Sequence, residues 1–284
     1  MNTIRSRIMI SFLCALTLSL CALADTRAAV GPSLAEKMAT ARVPFVPNQG
    51  QWDRPAAFAA PTFAGTLFVT TDGKLVYNLP GKSIGDTGDT SPDAGLSRVR
   101  DRRPKASGRT AGWVLTETFI SADRKAIRAT PTGDQPAATT ASYFIGNDET
   151  RHQRGLETFG RIDLGEVFRG VNVQLRATGA NVEKIFTVAP HQDPNQIRIE
   201  IGGATKLAVG RQGELIAETD NGPVTYTAPV AFQEDPRGNR QPVAVRYVLD
   251  SPGNQYRFAL ARYDYYLALV GLARSVGDLP NPAR

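Results

Sequence analysis

Few side chains in this 284-residue chain have the reactivity that enzymes use most often. Its two cysteines, Cys14 and Cys21, both lie in an apolar N-terminal stretch. Its two histidines, His152 and His191, sit in Arg151-His-Gln-Arg154 and Pro190-His-Gln-Asp193, contexts that read as exposed turns. No phosphate-cradling Gly-rich loop, nucleophile elbow or zinc-binding His-Glu-x-x-His pattern occurs, so no metal and no cofactor is expected. Carboxylates are plentiful, and Asp163 with Glu166, or Asp264 with Asp220, could flank a glycosidic bond. Nothing in the spacing separates such pairs from charges at strand ends. The better candidates are groups suited to recognition. Asn48, Gln51, Trp52, Tyr143, Asn147 and Asp148 unite loop amides and a carboxylate with aromatic rings, and form the expected ligand patch. Trp52 and Trp113 could stack on sugar rings, although a β-rich core commonly takes such rings inward.

The elements that must position these groups are strands. Val171, Val173 and Leu175 alternate with Asn172, Gln174 and Arg176, and Ile197, Ile199 and Ile201 alternate with Arg198 and Glu200. Further rows are Val243, Val245, Tyr247 and Leu249; Tyr256, Phe258 and Leu260; and Tyr263, Tyr265, Leu267 and Leu269. A period of two buries one face and wets the other, as antiparallel sheets do. Turns are expected at Asp72-Gly73, Thr132-Gly133-Asp134, Gln212-Gly213, Asn221-Gly222 and Ser251-Pro-Gly-Asn254. The first predicts a two-residue hairpin joining Thr66–Thr71 to Lys74–Leu79. Long amphipathic helices do not alternate with the strands, which argues against a doubly wound α/β fold. The expected class is all-β: an antiparallel, β-sandwich-like body with a short N-terminal helix and a long disordered loop.

The N-terminus reads as a secretory leader. Arg5 and Arg7 precede an apolar run from Ile8 to Leu23, and Ala22-Leu-Ala24 offers small residues for cleavage before Asp25. Leu13 and Leu20, which precede the cysteines, are too large for a lipoprotein signal. Cleavage of 1–24 removes both cysteines and lowers the formal net charge of +6 by two. It leaves no disulfide and no thiol site, and no membrane-spanning segment. So mild a charge gives no ground for nucleic-acid binding. The expected address is exported: periplasm, cell surface or medium.

Segment 25–42 carries a capping-box spacing, Ser33-Leu-Ala-Glu36, that predicts the short helix. The β-rich domain is expected over 43–270, with a flexible insertion at 81–111 too poor in large apolar residues to offset its chain entropy. The basic half of that insertion, Arg98, Arg100, Arg102, Arg103, Lys105 and Arg109, could touch an anionic lipid or polysaccharide surface. Residues 271–284 return to Gly, Pro and Asn and are expected to form a disordered tail.

Several segments together resemble a known family. They are Phe45-Val-Pro-Asn-Gln-Gly-Gln-Trp52-Asp, Tyr143-Phe-Ile-Gly-Asn-Asp148, Phe168-Arg-Gly-Val-Asn-Val173, the stretch from Phe186 to Ile197, Ala228-Pro-Val-Ala-Phe-Gln233 and the strand from Tyr263 to Val270. In this order they resemble the N-terminal domain of unknown function found ahead of SBBP-type β-propeller repeats in large bacterial cell-surface proteins. Ser142 and Asn172 stand where that pattern carries Asn and Asp. The family's usual closing Leu-x-Ile-Asp-Pro is replaced here by Gly271-Leu-Ala-Arg, so the chain reads as a stand-alone or truncated member. The resemblance implies an extracytoplasmic β-domain and supplies no catalytic residue. The expected function is therefore a non-enzymatic binding or scaffold domain, with a surface glycan or envelope protein as partner. The alternative is a carbohydrate-binding module or a glycan-active hydrolase.

Overall fold

The computed structural model describes residues 41–81 and 112–274, apart from 145, 148, 150–151, 180, 236, 251–252 and 261–265. The expected leader, the helix expected at Ser33–Glu36, residues 82–111 of the expected insertion with its basic run Arg98–Arg109, Asp148, Tyr263, Asp264, Tyr265 and residues 275–284 of the expected tail lie outside the described residues. What is described is all-β, in two antiparallel sheets, and none of its helical turns reaches seven residues.

The first sheet runs, in spatial order, Lys206–Val209, Leu215–Glu218, Val224–Tyr226, Tyr266–Arg274, Asn181–Val188, Val171–Thr178, Gln153–Phe168 and Thr132–Tyr143. The second runs Val245–Asp250, Gln255–Leu260, Arg198–Gly202, Trp113–Phe119, Leu75–Leu79, Gly65–Thr70, Ala56–Thr62 and Val46–Pro47. Each strand forms for the reason its alternation gives. Val171, Val173 and Leu175 are fully buried while Asn172 is exposed, and Ile197, Ile199 and Ile201 are likewise buried. The inward rows of both sheets meet in one core. Phe119 and Phe258 of the second sheet pack edge-on against Phe186 of the first, with ring centroids 6.4 and 5.6 Å apart.

Four expectations are corrected. Thr132-Gly133-Asp134 is not a turn but the start of the edge strand Thr132–Tyr143. Gly133 is needed there because a Cβ would lie 2.5 Å from the ring of Phe159 on the neighbouring strand. The hairpin at Asp72-Gly73 has a four-residue connection, Thr71 to Lys74, because only Gly73 takes a positive φ (85°). A two-residue turn of type I′ needs two such residues. The apolar row from Val243 to Leu249 is not one strand. Arg240–Val243 pairs within the first sheet and Val245–Asp250 within the second, so the chain changes sheets at Ala244. Finally, the last strand continues to Arg274, past the expected start of the tail at Gly271, because Asn181 to Lys184 offer it four more partners.

The edge strand Thr132–Tyr143 pairs with the long strand Gln153–Phe168 through two register shifts, one between Pro136 and Thr140 and one between Ala141 and Tyr143. Pro136 has no N–H to give the ladder and is tolerated because it sits at the sheet edge. The second shift bends and re-aims the strand where it delivers Tyr143, as bulges do.

Candidate functional site

The expected patch is partly assembled. The loop that follows Val46–Pro47 is organised by Asn48, whose side chain makes five hydrogen bonds to backbone. Its Nδ2 donates to the carbonyls of Trp52 (3.2 Å), Asp53 (3.1 Å) and Ala56 (2.8 Å). Its Oδ1 accepts from the N–H groups of Gly50 and Trp52, both at 3.1 Å. Gly50 takes φ 108° with open space around its Cα, so it supplies turn geometry rather than close approach. Gln51 is turned inward at 2% exposure: its Nε2 donates to the carbonyl of Pro47 (2.6 Å) and its Oε1 accepts from the N–H of Gln49 (2.7 Å). Asn48 and Gln51 therefore shape the loop, and neither offers a free group to a ligand.

What the loop presents is Trp52. The half-buried indole packs edge-on against Tyr143 at 5.0 Å and against Phe68 at 5.9 Å. Burial raises the pKa of the Tyr143 phenol, so it stays a neutral donor and acceptor at physiological pH. Asn147 is exposed on the turn after Tyr143, close in sequence to Gly146, whose φ of 67° suits only glycine without strain.

Sequence reasoning did not single out Phe144, which is the most open aromatic of this face at 58% exposure. The Arg154 guanidinium lies over its ring at 5.1 Å, and the His152 ring meets it edge-on at 5.4 Å. His152 is itself tied down, Nε2 lying 3.2 Å from the Gly146 carbonyl. The signal was available. Adjacent aromatics at the end of a strand must point to opposite faces, so if Tyr143 is half-buried, Phe144 is outside.

The carboxylate pair Asp163 and Glu166 has local work. Asp163 Oδ1 accepts from the N–H of Gly165 (2.7 Å), and its Oδ2 accepts from Gln174 Nε2 (3.2 Å). Glu166 Oε1 accepts from the N–H of Gly170 (3.0 Å). Both hold the bulged stretch of Gln153–Phe168 in shape. His191 is exposed in a turn with φ 63°. Among the described residues, no group of three or more His, Cys, Asp or Glu side chains could hold a metal ion.

A second polar cluster lies inside the fold. Lys184 of the first sheet donates to Glu117 of the second across 2.6 Å, with each side chain at 1% exposure. Lys184 Nζ also lies 4.8 Å from the centroid of the Tyr226 ring. Burial first, and then the Glu117 charge, push the pKa values of Tyr77, Tyr226, Tyr247 and Tyr256 up. The Tyr247 hydroxyl donates to the Thr227 carbonyl at 3.0 Å. The same Glu117 carboxylate engages the hydroxyls of Tyr77 and Tyr226, which raises both of their pKa values further.

Trp113, expected in the core, is half-buried, and its indole Nε1 is a buried donor without a partner. Residues 45–270 match the family described as Domain of unknown function (DUF7948). No curated protein matches the chain.

Proposed function

The chain belongs to the DUF7948 family, and from that premise we propose that it is an exported, non-catalytic binding domain of the bacterial cell surface. In this reading it engages an envelope partner through the face formed by Trp52, Tyr143, Phe144 and Asn147. The observation that carries the reading is Phe144, 58% exposed yet held by Arg154 and His152. A large ring fixed in the open gives contact area at little entropic cost.

The leader at 1–24 and the resemblance to domains that precede SBBP-type repeats support the address. We read the two sheets as the layers of a β-sandwich, with this face at one end. An aromatic ring beside an exposed amide also suits a sugar, so a glycan ligand is the form of the reading that Phe144 favours. The basic run Arg98–Arg109 would add attraction to an anionic surface without specificity.

The test is retention of the exported chain, from Asp25 onward, on a glycan array and on cell-envelope material in high salt. Retention that survives salt supports the aromatic face. Retention that vanishes with salt assigns binding to the basic run instead. Turnover of a bound glycan overturns the non-catalytic reading.

A further inference from the structure

The turn at Phe63 and Ala64 and the loop 219–223 border one cavity of ≈ 130 Å³. Its walls include Phe63, Leu79, Pro80, Trp113, Pro223 and Val224. The volume is well above the ~10–15 Å³ needed to hold one water, so it has room for side chains. Asn221 Nδ2 donates to the Pro80 carbonyl at 3.1 Å, which ties the loop to the opposite wall. None of these residues belongs to the Trp52–Phe144 face.

Two groups in the walls ask for an occupant. Phe63 stands 63% exposed at the rim, although its ring is large and apolar. Trp113 Nε1 is shut off from water, and no acceptor among the described residues reaches it. Buried donors in native proteins are nearly always paired, because the bond to water lost on folding must be replaced. A phenyl ring, an indole donor and apolar walls together suit an extended, proline-containing segment. Its rings lie on the walls, and its carbonyls accept from the indole.

The last strand leads such a segment to this cavity. Arg274 pairs with Thr225 and Ala273 with Tyr226, in antiparallel register. The same register carried onward sets residue 275 beside Val224 and residue 276 beside Pro223, both walls of the cavity. The sequence there reads Ser275-Val-Gly-Asp-Leu279-Pro280-Asn-Pro282. Leu279 lies five residues past Arg274, within a reach of about 17 Å. Residues 82–111 also leave and re-enter beside this cavity, between Pro80 and Trp113, but Gly, Ser, Asp and Arg dominate them and suit apolar walls poorly. We propose that the cavity seats residues 279–282 of the same chain. Leu279 and the two proline rings lie against Phe63, Pro80 and Pro223, and a carbonyl of the segment accepts from Trp113 Nε1.

Nitrogen-15 NMR of the exported chain tests this through its two indole N–H signals, which Trp113→Phe assigns to Trp113 and Trp52. Leu279→Asp combined with Pro282→Asp removes the apolar anchors and leaves the described strands untouched. Hydrogen exchange at the Trp113 indole is expected to quicken at least about tenfold in this variant, while the Trp52 indole keeps its rate. Phe63→Ala, at the exposed rim, is expected to quicken Trp113 in the same sense. A synthetic peptide of residues 275–284 added to the double variant is expected to restore the slow rate. A Trp113 signal that keeps its position and rate in the double variant would overturn the proposal and give the cavity to residues 82–111 or to a partner. Equal quickening at both indoles would overturn it too, since that reports loosening of the whole fold.

Discussion

The loop around Asn48 and the cluster around Glu117 both gather polar groups against apolar walls, yet one bonds a side chain to backbone and the other bonds side chains to each other. In the loop, one amide serves five backbone groups within eight residues, and Gln51 serves two more. The result is a rigid support that carries Trp52 to Tyr143. In the interior, a single strong contact between Lys184 and Glu117 joins the two sheets, and the hydroxyls of Tyr77 and Tyr226 gather on the same carboxylate. A satisfied polar cluster specifies shape. A charge pair buried between two sheets ties the layers together instead, at a desolvation cost that its contacts must offset. The comparison separates two groups of polar residues that composition alone would treat alike.

The largest effect should come from splitting the interior pair. Lys184→Met leaves Glu117 charged and buried beside Leu75 and Ile201, its neighbours across the sheet. It is expected to lower the unfolding free energy by about 3–5 kcal/mol, read from the urea midpoint at constant slope. Replacing both Glu117 and Lys184 by Met should recover most of that loss or exceed wild type. A double variant as unstable as the single one would show that the pair is not what Lys184 contributes.

Alkali should act on the same cluster. Tyr77, Tyr226, Tyr247 and Tyr256 have folded-state pKa values raised above their unfolded values, by burial and then by Glu117. Their contribution is therefore complete below about pH 10 and is lost as pH rises beyond it, since the unfolded chain then binds fewer protons. Each tyrosine should cost about 1.4 kcal/mol per pH unit in that range. Tyrosinate absorbance from these four should appear together with loss of structure. Early, independent ionisation of them would contradict their burial.

In the Asn48 loop and the turn after Tyr143 the effects should be smaller. Asn48→Ala strands backbone donors and acceptors in a part-buried turn and is expected to cost about 1–3 kcal/mol. Gly146→Ala, in open space at φ 67°, carries only backbone strain and should cost about 1–2 kcal/mol in thermal or urea unfolding. A loop that tolerated Asn48→Ala without loss would erase the contrast with the interior.

The strands were legible in the sequence because alternation is a direct consequence of the pleat. The same rule contained the interior pair. Lys184 falls in phase with Val182 and Phe186, and Glu117 with Leu115 and Phe119, so each is a charge on a buried face. Opposite charges on two inward faces are explicable only if they meet. The change of sheets at Ala244 was not legible, since Val243 to Leu249 keeps its period while its partners change. Gly133 was misread because a glycine that admits a neighbouring ring looks, in sequence, like a glycine that turns the chain. In the expected patch, Trp52 and Tyr143 do meet, but which amides faced outward depended on hydrogen bonds that spacing does not encode.

The claim that the aromatic face binds and the Asn48 loop supports it is tested most directly by Phe144→Ala. Phe144 is too exposed to hold the fold together, so stability should stay within about 0.5 kcal/mol of wild type. Salt-resistant retention on cell-envelope material should nevertheless fall at least about tenfold, the size expected for an aromatic anchor. Retention equal to wild type in a variant that is just as stable would contradict the account.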